Sequence, residues 1–121
     1  MTSRELARSA QYIVQHEYEH ATVMAADGRL ASVGAFYGDP AVALIDVHEQ
    51  WCAVAGEGLL ICRLEQRFGQ CVEYYRQPGE VRWITDLRQT GPFALEWQGE
   101  DGAWSTLDFE PVDASAYAPG R

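Results

Sequence analysis

The sequence predicts an α+β fold in which one N-terminal helix packs on a mostly antiparallel β-sheet, curved or partly closed. Three observations carry that expectation. Apolar residues near the start recur at helical spacing, the rest of the chain breaks into short apolar runs separated by Gly, Pro and Asp, and two of those runs are almost free of polar residues. At 121 residues, 47% of them apolar, the chain suits one domain with a single core. That domain is expected over residues 1–113, with 114–121 as a frayed tail.

The helix is expected from about Ser3 to about Gln15. Thr2 followed by Glu5 has the form of a capping box, and Leu6, Ala10, Ile13 and Val14 then lie on one helical face. Continuing the wheel at about 100° per residue puts Glu17 inside that apolar stripe, so the helix is expected to end before it. From Tyr18 the pattern is β-like, with Thr22 and Val23 leading to the turn Ala26-Asp27-Gly28 and then to Leu30, Ser32, Val33 and Phe36. Gly38-Asp39-Pro40 precedes a short apolar segment, Ala41 to Ile45, and the polar turn Asp46 to Gln50. WCAVAGEGLLICRL then reads as a hairpin around Gly56-Glu57-Gly58, and its scarcity of polar residues marks both strands as central. Further strands are expected at Val72 to Arg76, Val81 to Leu87, Phe93 to Gln98 and Trp104 to Phe109, for up to eight in all.

Charge narrows the function. The formal net charge is −9, with residues 1–62 and 89–121 each at −5 and residues 63–88 at +1. Such a balance repels phosphate backbones, so a basic protein is a better partner than nucleic acid. All nine cations are Arg, consistent with a GC-rich bacterial genome. No apolar run approaches the length of a membrane span, and no signal-peptide pattern is visible, so the expected location is the cytoplasm. Cys52, Cys62 and Cys71 show neither a CxxC spacing nor an even count, and are expected to be buried reduced thiols.

One string names a chemistry. His16 to His20 read HEYEH, the HExxH pattern of zinc hydrolases, in which two His four apart on a helix bind Zn²⁺ and the Glu serves as general base. On a helix the two Cβ atoms are roughly 6 Å apart, whereas on a strand the same spacing covers roughly 13 Å. The local backbone therefore decides the matter. His48 or Glu49 is the candidate third ligand, yet the β-like pattern from Tyr18 makes the string a junction between helix and strand. No Ser or Cys lies in a nucleophile motif, and the acid between Gly56 and Gly58 argues for a tight turn over a phosphate cradle.

The C-terminal part alternates rings and carboxylates. Glu96, Trp97, Glu100, Asp101, Trp104, Asp108 and Glu110 have no Arg nearby in sequence, and Trp dominates binding hot spots. The first six are the expected partner-binding residues. The bland alternative buries both Trp in the core and leaves the carboxylates to solubility.

YGDPAVALID (Tyr37 to Asp46), WCAVAGEGLLI (Trp51 to Ile61), the aromatic strand around Trp83-Ile84 and the acidic end together resemble the small cytosolic immunity proteins of bacterial polymorphic toxins. That resemblance implies tight binding to a cognate toxin, with acidic side chains meeting the Arg or Lys of its active site. The expectation is therefore a non-enzymatic toxin inhibitor that uses no cofactor. A zinc hydrolase built on His16, Glu17 and His20 is the alternative, and a small-molecule-binding or scaffold domain is a further one.

Overall fold

A computed structural model describes residues 3–109 of the chain. Those residues form eleven strands and no helix, so the fold is all-β. The strands are β1 (Arg4–Arg8), β2 (Tyr12–Glu17), β3 (His20–Ala25), β4 (Leu30–Ala35), β5 (Val42–Ile45), β6 (Trp51–Gly56), β7 (Gly58–Arg63), β8 (Cys71–Tyr74), β9 (Ile84–Gly91), β10 (Ala94–Gly99) and β11 (Trp104–Asp108). They run as three antiparallel meanders: an N-terminal sheet β1-β2-β3-β4, a central sheet β5-β6-β7-β8 and a C-terminal sheet β9-β10-β11.

The α+β expectation is overturned at the N-terminus, where the predicted helix is two strands and a turn. Tyr12, Val14 and His16 are buried while Ile13, Gln15 and Glu17 are more exposed, a period of two. The spacing of Leu6, Ala10, Ile13 and Val14 fits a helix as well, so the pattern is ambiguous over so short a stretch. Pairing decides it: β2 meets β3 in six consecutive registers, from Tyr12↔Ala25 to Glu17↔His20, and meets β1 on its other side. An isolated helix of about 13 residues is marginal in water, and two flanking strands outweigh it. Glu5, the described half of the supposed capping box, pairs with Arg8 at 2.7 Å on an exposed strand. Thr2, Glu110 and the expected tail 114–121 lie outside the described residues.

The central sheet organises the rest. Cys52, Val54, Leu60, Cys62 and Leu64 face the N-terminal sheet and pack with Tyr12, Val14, Ala21, Val23, Val33 and Phe36. Trp51, Ala53, Ala55, Leu59 and Ile61 face the opposite way, against Ile84, Leu87, Leu95, Trp97 and Phe109 of the C-terminal part. Two cores thus share one sheet. This is why β6 and β7 are apolar at almost every position: alternate residues go to different cores and neither face meets water. The C-terminal sheet is fastened by Trp51, whose Nε1 donates to the Pro92 carbonyl at 2.7 Å and whose ring meets Phe109 edge-on at 4.9 Å.

Gly34 and Gly58 each permit a close approach. At Gly34 β4 passes over β7, where a Cβ would sit 2.9 Å from Leu60 Cδ1, and the β3–β4 register shifts beside it. Gly58 opens β7 at φ 79°, and a Cβ there would lie 2.1 Å from Cγ of Arg76.

The cysteines also differ from expectation. Cys62 and Cys71 are register partners on β7 and β8, with Cα atoms 4.0 Å apart, and form a disulfide; only Cys52 is free. Their sequence separation of 9 matches no motif, because hairpin pairing and not spacing brings them together. Cys52 stands opposite Cys62 on β6, and complete burial pushes its thiol up to about 12. A thiol titration at pH 8 without reductant should therefore detect none in native protein and one per chain after denaturation. Reducing the disulfide should lower the unfolding free energy by about 2–3 kcal/mol in a denaturant titration. Three thiols in unreduced, denatured protein would disprove the pairing.

Candidate functional site

HEYEH is a hairpin. His16 and Glu17 end β2, Tyr18 and Glu19 form the two-residue turn, and His20 begins β3. Tyr18 takes φ 54°, a left-handed conformation costly for a ring-bearing residue and suited to a tight hairpin turn. His16 points inward, is buried, and its Nδ1 donates to the Tyr18 carbonyl at 2.8 Å. Glu17 and His20 oppose each other on the outer face, where His20 Nε2 meets Ser32 Oγ at 3.1 Å. The two imidazoles thus lie on opposite faces of the sheet and cannot share an ion.

The third-ligand candidates are elsewhere, in the β5–β6 turn. Glu49 accepts hydrogen bonds from Ser9 Oγ and from the Gln11 amide at 2.9 Å, while His48 is solvent-exposed. Among the described residues no three His, Cys, Asp or Glu converge as a metal set. A surface groove of about 520 Å³ beside that turn is lined by Ala7–Ala10, Ala43–Val47 and Glu49, with no aromatic ring.

The C-terminal residues divide between two faces. On β10 the register places Glu96 outward and Trp97 inward, and Trp97 is 8% exposed, packed on Tyr75 with ring centroids 5.1 Å apart. Trp104 lies on the outer face, but Arg88 already covers it, its guanidinium carbon 4.0 Å from the ring centroid and its Nε 2.5 Å from the Glu96 carboxylate. Glu100 and Asp101 are exposed in the β10–β11 turn, where Asp101 accepts the Ala103 amide at 2.9 Å, and Asp108 is exposed at the end of β11. The rings of this segment are occupied. Its turn carboxylates remain open to solvent.

Exposed rings gather instead at another place. Tyr18, Tyr37 and Trp83 are 64%, 74% and 43% exposed, a large apolar presentation for so small a chain. Tyr37 and Trp83 meet edge-on with centroids 6.3 Å apart. The Tyr18 turn is tied to the same loop: Phe36 donates its amide to the Glu19 carbonyl at 2.8 Å, and Gly38 donates to the Glu19 carboxylate at 2.8 Å.

Glu57, the single residue between β6 and β7, locks the arrangement. Its carboxylate accepts the Tyr37 amide at 3.0 Å and Arg76 Nη2 at 3.3 Å, and its backbone bridges to Trp83. Arg76 in turn donates to the Ala35 carbonyl at 2.6 Å and lies over the Phe36 ring at 4.9 Å. The acid in the Gly-Glu-Gly turn is thus structural, as the sequence suggests, but it fixes a site that sequence reasoning missed. Tyr37, beside Gly38-Asp39-Pro40, sits at a turn that the sequence signals, whereas Tyr18 and Trp83 fall where strands are expected. Nothing in their spacing says that the loops meet.

The hairpin geometry makes a prediction about its histidines. His16→Ala removes a buried, hydrogen-bonded ring and should lower the unfolding free energy by about 1–3 kcal/mol, whereas His20→Ala should stay within about 0.5 kcal/mol. Added Zn²⁺ should leave the Tm of the unsubstituted protein unchanged; a stabilisation by Zn²⁺ that both substitutions abolish would contradict this geometry. In comparisons with known proteins the chain matches no protein-family model, no curated protein and no solved structure.

Proposed function

We propose that this chain is a non-enzymatic binding protein that captures a basic protein partner through the Tyr18, Tyr37 and Trp83 surface. The observation that carries the reading is the pre-organisation of those rings. Large side chains held exposed on three loops cost the free protein stability, and holding the backbone beside Tyr37 through Glu19 and Glu57, with Arg76 on Glu57, lowers the ordering entropy lost on binding. Overall charge supplies the second argument. At −9 the chain attracts a basic surface over long range and suppresses acidic competitors.

The resemblance to toxin-immunity proteins is in keeping with this role and suggests the partner: a bacterial toxin whose active site uses Arg or Lys. The exposed carboxylates Glu100, Asp101 and Asp108 then add to the field that steers association, and the aromatic surface sets dissociation.

The test is co-expression with the protein encoded beside this gene, followed by binding measurements on the purified pair. Tyr37→Ala and Trp83→Ala should each weaken the complex by about 10- to 100-fold, chiefly through faster dissociation. Glu100→Lys with Asp101→Lys should slow association and flatten its salt dependence. An affinity unchanged by all four substitutions would refute this reading.

A further inference from the structure

Among the described residues, three arginines share one arrangement: a guanidinium lies over an aromatic ring and is held there by a carboxylate. Arg29 lies over Phe68 at 4.7 Å and pairs with Asp27 at 2.8 Å. Arg76 lies over Phe36 at 4.9 Å and pairs with Glu57 at 3.3 Å. Arg88 lies over Trp104 at 4.0 Å and pairs with Glu96 at 2.5 Å. The ring quadrupole attracts the cation, and the carboxylate fixes its plane through charge-assisted hydrogen bonds.

The Tyr18, Tyr37 and Trp83 surface offers two of those three components. It presents rings that are exposed, and the Tyr37 loop carries Asp39 and is bonded through the Gly38 amide to the Glu19 carboxylate; neither acid has an ion-pair partner among the described residues. The neighbouring cations are Arg76 and Arg82. Arg76 is committed beneath the surface to Ala35, Glu57 and Glu73, and Arg82 donates to the Val81 carbonyl at 3.2 Å. We infer that this surface takes an arginine side chain of the partner, laid against Trp83 and Tyr37 and paired with Glu19 or Asp39. The inference rests on the binding role proposed above and names its occupant.

Arginine fits better than lysine for a physical reason. Its guanidinium is planar, stacks on a ring and still offers in-plane donors to a carboxylate, whereas an ammonium is compact and more strongly hydrated. Overall negative charge would attract either cation equally. Discrimination between them is therefore the signature of a built site.

The experiment uses the full chain, 15N-labelled, with two probes: acetyl-Gly-Arg-Gly-Arg-Gly-amide and its Lys counterpart. The Arg peptide should shift the Trp83 indole N–H resonance selectively and bind about fivefold more tightly than the Lys peptide. Trp83→Leu, which keeps an apolar side chain at a half-exposed position, should remove that preference. Glu19→Gln should weaken Arg-peptide binding several-fold, and Glu65→Gln, at an exposed carboxylate elsewhere on the chain, should leave the preference intact.

Equal affinity for the two peptides, or an Arg preference that survives Trp83→Leu, would overturn the assignment. The two readings fail separately. No Arg preference combined with loss of the protein complex in Tyr37→Ala would sink the arginine site and leave the binding role standing. An Arg preference with a protein complex indifferent to Tyr37→Ala and Trp83→Ala would refute this surface as the partner's interface, and with it the partner arginine.

Discussion

The two inner strands of the central sheet have no wet face, and most of this structure follows from that constraint. β6 and β7 send alternate side chains into two separate cores, so Cys52, Val54, Leu60 and Cys62 serve one layer while Ala53, Ala55, Leu59 and Ile61 serve the other. A sheet buried on both sides needs an apolar layer over each, and the two outer meanders supply them. Their own strands can then alternate, apolar inward and polar outward, as β10 does with Leu95 and Trp97 inward and Glu96 and Gln98 outward. Each fully buried Val, Leu or Ile on the shared strands contributes about 1.5–3 kcal/mol.

Small residues in the same strands set the distance between layers. Ala53 and Ala55 leave room for Trp51, Trp97 and Phe109 on one side, and Gly34 lets β4 approach Leu60 on the other. The β6–β7 turn is where this packing meets the surface. Because Gly56 and Gly58 are direct register partners, Glu57 is forced out at the sheet's end, where it can reach the Tyr37 amide and Arg76. The placement of Tyr37 and Trp83 thus descends from the tight turn of the buried hairpin. At that corner the core and the exposed rings Tyr37 and Trp83 are joined through Glu57.

Several parts of this were legible in the residues. The two central strands were readable because WCAVAG and GLLICR lack the alternation of half-wet strands, and the hairpin turns at Asp27-Gly28 and Gly56-Glu57-Gly58 were readable from glycine chemistry. The first fifteen residues were not, since Leu6, Ala10, Ile13 and Val14 satisfy a helical wheel while Tyr12, Val14 and His16 satisfy a strand. Only the six-register pairing with β3 separates the two. The acidic C-terminal segment misled in a different way. Sequence adjacency of Glu96 and Trp97 suggests one surface, but on a strand adjacent side chains face opposite ways, so Trp97 is buried while Glu96 holds Arg88.

Composition and local pattern on their own establish an acidic, turn-rich chain with a buried central hairpin, because burial and turn chemistry act over a few residues. They also mark the glycine turns at Asp27-Gly28, Gly38-Asp39-Pro40 and Gly56-Glu57-Gly58. What only the tertiary structure decided is everything that depends on how strands and loops pair: the loss of the N-terminal helix, the Cys62–Cys71 disulfide, the separation of His16 from His20 and the contact of Tyr37 with Trp83. Register is a property of pairs. A shift of one residue would send every one of these side chains to the other face, and no single strand's sequence carries that information.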